Sequence, residues 1–180
     1  MPLLVALLLL AAPLSAQDSV VTLLGYRTTV PRGWAPRAPS SQMRLAEYTV
    51  AAADGSSGAE VVVYFFGAGL GGNVEANLTR WKAQFSTPDG SPVPETVTRD
   101  TTGAFPLTFA EYRGTYARGI GAGSAAEQAR PNHTLIAGIA ETPRGTLFIQ
   151  LFGPTPGVQV QKEALNRFVR GLATGAQRQP

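Results

Sequence analysis

Val61 to Phe66 is an unbroken apolar run of β-branched and aromatic residues. It is too short for a typical helix, so it predicts a strand buried on both faces and central in its sheet. Gly67, Gly69, Gly71 and Gly72 stop the run, and Asn73 supplies a side-chain oxygen able to cap a helix that starts at Val74. At about 100° per residue, Val74, Leu78, Trp81 and Phe85 fall in one narrow apolar stripe, while Glu75, Thr79, Arg80 and Lys82 lie outside it. That stripe is expected to lie on the strand Val61 to Phe66.

The same reading extends along the chain. Leu23 to Pro31 alternates loosely and predicts one strand, followed by an irregular loop kept extended by Pro31, Pro36 and Pro39. Met43 to Ala51 sets Met43, Leu45, Glu47 and Thr49 on one face and Arg44, Ala46, Tyr48 and Val50 on the other. Asp54 to Gly58 then joins it to the central strand as an antiparallel hairpin. Thr96 to Thr102 and Phe105 to Tyr116 form a second hairpin about Gly103, with Phe105, Leu107 and Phe109 on one face and a bulge at Gly114. Arg118 to Pro131 is small and polar and reads as a surface loop. His133 to Glu141 and Gly145 to Phe152 make a third hairpin about Thr142 to Gly145. Pro154 to Pro156 announce a second helix with Leu165, Phe168, Val169 and Leu172 as its buried stripe, ended by Gly171 and Gly175. The order describes an α+β domain, an antiparallel sheet of six to seven strands covered by two helices.

Residues 1–16 are read as a targeting segment. Leu3 to Leu10 is apolar and uncharged, Pro13 breaks it, and Ser15 and Ala16 are the small residues of a cleavage site before Gln17. The run is shorter than the ~18 residues of a membrane span. No Lys or Arg precedes it, which leaves open a true start upstream of Met1. Leu14-Ser15-Ala16 looks like a lipobox, but Gln17 stands where the lipidated cysteine belongs. The expectation is a signal peptide over 1–16, one domain over 17–173 and a disordered tail over 174–180. The protein would be periplasmic or secreted, with no membrane span in the mature chain.

Cysteine is absent, which removes disulfides, thiolate metal sites and cysteine nucleophiles. The net charge is +3 and lysine occurs only at Lys82 and Lys162, so the basic side chains are almost all arginine. That balance is far from a nucleic-acid tail, and no nucleic-acid partner is expected.

The start from Gly25-Tyr26 to Pro31-x-Gly33-Trp34, the long apolar strand feeding a helix that ends Arg80-Trp81, and the closing hairpin with its terminal helix together resemble the PsbP-like superfamily, which includes DcrB-like bacterial lipoproteins. More closely, the chain is similar to uncharacterised exported bacterial proteins sharing Pro31-x-Gly33-Trp34, Ser40-Ser41-x-Met43-Arg44, the Phe66-Gly67 loop and Arg80-Trp81. The resemblance implies the fold and supplies no shared catalytic residues.

Candidate chemistry is sparse. Gly67, Gly69 and Gly72 spell G-x-G-x-x-G between strand and helix, but a dinucleotide site needs a parallel strand directly after the helix, ending in an acid. Ser86 to Pro94 is a loop instead, so no cofactor is implied and the glycines are read as a sharp turn that lets the helix approach the sheet. His133 is the only histidine, and no acid stands near it at ligand spacing. Ser41-Gln-Met-Arg44 has arginine where an S-x-x-K enzyme needs a lysine able to lose its proton. The twelve carboxylates are scattered and mostly on expected solvent faces. Asn77-Leu-Thr79 and Asn132-His-Thr134 match the glycosylation sequon, the first inside the predicted helix. No catalytic residue and no metal ligand is assigned. One bias remains: Arg27, Arg32, Arg37 and Arg44 flank an exposed-looking Trp34, and apart from Asp18 no acid precedes Glu47. Together these five residues predict a patch for an anionic envelope surface or an acidic envelope protein. The expected function is a non-catalytic binding or accessory module of the bacterial envelope. The alternatives are a hydrolytic enzyme without a recognisable motif and a structural subunit of an envelope complex.

Overall fold

The structure is a computed structural model that describes residues 19–51, 58–117 and 129–176. The expected signal segment, most of the turn at Asp54 to Gly58, most of the loop Arg118 to Pro131 and residues 177–180 lie outside the described residues.

The described chain runs β1 (Val20–Leu23), β2 (Tyr26–Thr29), β3 (Trp34–Arg37), β4 (Arg44–Val50), β5 (Ala59–Tyr64), α1 (Val74–Lys82), β6 (Phe85–Ser86), β7 (Glu95–Asp100), β8 (Leu107–Tyr116), β9 (Arg130–Thr142), β10 (Gly145–Pro154) and α2 (Thr155–Ala176). Eight strands form one antiparallel sheet in the order β3-β4-β5-β10-β9-β8, and β6 and β7 share the outer edge of β8. The α+β class, the three expected hairpins and the central place of β5 are all present. Val63 pairs with Ile149 on one side and with Ala46 on the other.

Several expectations need correction. Leu23 to Pro31 is not one strand: Leu24 and Gly25 both take positive φ and fold β1 against β2 as a separate two-stranded ribbon. Trp34 to Arg37 and Phe85-Ser86 add short edge strands that were expected to be loop or helix, which raises the sheet to eight strands. A tail beginning at 174 is also overturned, because α2 continues through Thr174 to Ala176. Gly171 and Gly175 do not end that helix. They are positions where β2 lies against it.

Alternation along the strands divides the interior in two. Leu147, Ile149 and Leu151 face α2 with Val61 and Val63, against Leu165, Phe168, Val169 and Leu172. Phe148 points to the other face, with Ala137, Ile139 and Tyr112 beneath Leu78 and Trp81 of α1. The helices therefore lie on opposite faces. α1 sits over β8, β9 and β10 rather than on Val61 to Phe66 as expected, and from the region of β5 only Tyr64 and Phe66 reach it. The β3–β4–β5 side of this face has no helix over it among the described residues.

The glycine segment explains why α1 starts where it does. Asn73 accepts from the Ala76 amide at 2.8 Å, the cap expected from sequence. Gly71 takes φ +94°, and a Cβ there would meet Phe148 at 2.8 Å and Phe66 at 2.9 Å. Asn77 is buried and donates to the carbonyls of Gly71 and Asn73, both at 2.9 Å, which closes the loop onto the helix. Its amide nitrogen is thus inside the fold, where a sugar has no access to the Asn77-Leu-Thr79 sequence.

Candidate functional site

A β-bulge builds the site. The register between β4 and β5 shifts between Arg44 and Ala46, so Arg44 does not alternate away from Glu47 as the sequence pattern predicts. Both side chains point to the α1 face. Glu47 is buried and accepts from the Ser40 amide at 2.6 Å and the Ser40 hydroxyl at 2.8 Å, with Arg44 Nη1 at 3.3 Å. The Ser40 amide does most to hold its carboxyl below the usual range, against the opposing effect of burial. Glu47 is thereby committed to the loop before β4 and to Arg44. The guanidinium of Arg44 lies 5.3 Å over the ring of Tyr64.

Tyr64 and Phe66, two residues apart, present stacked rings with centroids 6.0 Å apart and planes 2° from parallel. Phe66 leans on Phe148 at 5.7 Å, and Phe148 meets Trp81 edge-on at 6.2 Å. Across from them stands Tyr116 of β8, packed on Phe85 and Phe152. These rings enclose a cleft of about 340 Å³ between α1 and the sheet. Arg80 enters from the helix, its Nη2 donating to Asn77 Oδ1 at 2.5 Å, and Gln84, Gln150, Ser41 and Met43 complete the wall.

The chemistry of this lining is specific. It carries two arginines and no Asp, Glu, His or Lys. Arg44 is paired with Glu47, whereas the partner of Arg80 is a neutral amide, so the lining holds a positive charge that no acid offsets. Ser41 has no base beside it in the cleft, since His133 lines a different groove. Six residues singled out in the sequence meet here: Ser41, Met43, Arg44, Phe66, Arg80 and Trp81.

A larger groove of about 730 Å³ lies further along the same face, with Arg37, Arg130, His133, Glu60 and Phe152 in its wall. His133 is half-buried within β9, which begins at Arg130 rather than at His133 as expected. Its Nδ1 donates to the Pro131 carbonyl at 2.8 Å and its ring lies 5.4 Å from Phe152. The groove runs into Ala51, Gly58 and Arg130, at the margins of the stretches outside the described residues, so the cleft beside α1 is the better-defined site. Among the described residues no group of three or more His, Asp or Glu side chains is placed to hold a metal ion, and no helix is long and apolar enough to cross a membrane.

The structure divides the five residues of the predicted arginine patch. Arg44 lines the cleft and Arg37 the larger groove, both on the α1 face. Arg27 and Arg32 border α2, beside Gly175 and Arg167 respectively. Trp34 is not exposed as expected. It is 5% accessible, packed between Tyr48 and Phe168 on the α2 face, and its Nε1 donates to Gln161 Oε1 at 3.1 Å. Its fused ring system is large enough that packing under α2 outweighs the proline-rich, strand-edge context that suggested exposure.

Sequence reasoning passed over Arg80 and Tyr116 as site residues and took the carboxylates as solvated. Glu111 of β8 is buried and accepts from Lys162 Nζ and Gln159 Nε2 of α2, both at 2.7 Å, with Arg113 Nε at 3.2 Å. Burial alone would raise its pKa, but the hydrogen bonds of Lys162 and Gln159 and the charges of Lys162 and Arg113 outweigh that and lower it. This is a tether for α2, on the face opposite the cleft.

The chain matches no model of a known protein family and no curated protein.

Proposed function

We propose that the protein is a non-catalytic binding module of the bacterial envelope, exported by a signal over residues 1–16 and PsbP-like in kind. Its ligand is an anion held in the cleft between α1 and the sheet. The presence of Arg44 from β4 and Arg80 from α1 in one aromatic-lined cleft, with no acid in the lining, carries the reading. An arginine fork binds carboxylate or phosphate oxygens in two-point fashion, and a ring-lined wall strengthens that bond by excluding water. The partner class expected from sequence, an anionic component of the envelope, has the right sign of charge.

A thermal-shift screen of small anions, cations and neutral compounds tests this. Anions alone should raise the melting temperature, and Arg80→Gln should abolish the shift without lowering the midpoint of the free protein. Stabilisation by neutral compounds to the same degree, or shifts that survive Arg80→Gln, would place binding elsewhere. Turnover of ester, glycoside, phosphate or peptide substrates would favour the hydrolase alternative instead.

A further inference from the structure

We infer that the cleft takes a small, flat aromatic acid: a planar apolar body laid against the rings, with one carboxylate between the guanidinium groups of Arg44 and Arg80. The inference rests on the cleft being the ligand site and specifies what fills it.

Three observations point to this class. The lining is aromatic, with Tyr64, Phe66, Phe148, Trp81 and Tyr116 all in it, and an aromatic body gains ring-to-ring contact with such side chains that a branched aliphatic one does not. The volume of about 340 Å³ is at the small end for ligand sites, which range over roughly 300 to 1,000 Å³, so it suits one or two fused rings rather than an extended chain or a polymer. The charge is asymmetric. Arg44 already faces Glu47, and Arg80 meets only the neutral Asn77, so the site balances about one negative charge and not several. Gln84 and Gln150, both in the lining, offer amide donors that orient a carboxylate without adding charge.

Isothermal titration calorimetry with naphthalene-2-carboxylate, the neutral naphthalene-2-carboxamide and acetate separates the parts of the claim. The carboxylate should bind, and the amide and acetate should each bind at least about tenfold more weakly, since a hydrogen bond to a charged group and the apolar contact each account for about that factor. Arg80→Gln should weaken the carboxylate by roughly tenfold and leave the amide unchanged. Arg80 is exposed and bonds a neutral amide, and a thermal midpoint equal to wild type checks that Arg80→Gln folds, so this variant is informative where Arg44→Gln disturbs Glu47. Equal binding of acid and amide, no binding of the acid, or acid binding unaffected by Arg80→Gln would each overturn the inference. If other anions from the screen bind in an Arg80-dependent way while the naphthoate does not, the ligand class is wrong and the cleft stands. If no anion depends on Arg80, both readings fall.

Discussion

Gly171 of α2 lies so close to Thr28 of β2 that a Cβ on the glycine would fall less than 3.0 Å from the threonine hydroxyl, and that hydroxyl donates to the Phe168 carbonyl at 2.6 Å. The ribbon β1–β2 is thus held on α2 by a side chain that fits only because Gly171 has none. Gly157, two residues inside the same helix, has nothing within 4 Å of a built Cβ.

These two glycines should respond oppositely to the same change. Alanine gains about 1 kcal/mol over glycine in a helix, so Gly157→Ala is expected to stabilise by up to that amount. At Gly171 the overpacking cost of about 1 to 3 kcal/mol opposes this gain, and Gly171→Ala should be destabilising by up to about 2 kcal/mol. Thr28→Ala should recover part of the loss in the double variant. Urea denaturation of the four proteins measures it; equal effects at the two glycines would show that β2 does not rest on α2.

Acid should weaken the fold through Glu111 and Glu47. Both carboxyls are held below the ordinary value of 4.5, so each contributes stability that is present above that value and is lost as pH falls through its lowered pKa. Glu111→Gln should cost about 2 kcal/mol at pH 7, since it removes charge-assisted hydrogen bonds from Lys162. The variant should also lose less stability than wild type between about pH 5 and pH 3. Denaturant midpoints across that range decide it, and identical acid sensitivity in the two proteins would mean that Glu111 is not an ionised partner of α2.

Tyr112 is fully buried, and its hydroxyl has no hydrogen-bond partner among the described residues. Burial, with Glu95 and Glu75 nearby, pushes its pKa up to about 12. Tyr112→Phe removes an unsatisfied polar atom and keeps the ring on Phe85, so stability should be unchanged or rise by up to about 1 kcal/mol. A loss of more than about 1 kcal/mol in the melting analysis would indicate that the hydroxyl is bonded, for instance to a buried water.

Trp81 is 3% exposed and packs on Phe148. Trp81→Ala should cost about 3 to 5 kcal/mol. A cost below about 1 kcal/mol would show that α1 is not docked on the sheet.

The parts of this fold that were legible in the sequence are those written in a local repeat. The strand through Val61 to Tyr64, the hairpin about Thr142 to Gly145 and the Asn73 cap each follow from neighbouring residues alone, although the strand ends two residues before Phe66. What escaped depends on contacts distant in sequence. Gly171 and Gly175 read as helix terminators because glycine usually is one, whereas here they accommodate Thr28 and Arg27. Trp34 looked exposed among prolines because its partners Phe168 and Gln161 are more than a hundred residues away. In the cleft, the bulge after Arg44 defeated simple alternation and turned that arginine to the face of Arg80. Strict period-2 reading assigns Arg44 to the opposite face from Glu47, so the site could not be assembled from the pattern.

The central claim is that ligand enters beside Trp81, and the protein carries an internal control for it. Its two tryptophans lie on opposite faces of the sheet, Trp81 in the cleft wall and Trp34 under α2 with its indole N–H on Gln161. The two indole N–H signals of the ¹⁵N-labelled protein, assigned with Trp34→Phe and followed during titration with naphthalene-2-carboxylate, report the faces separately. The account predicts a saturating shift of the Trp81 signal with Trp34 unmoved, and in Arg80→Gln the same shift only at roughly tenfold higher ligand. Movement of Trp34 alone, or a Trp81 signal that stays fixed to saturation, would contradict it.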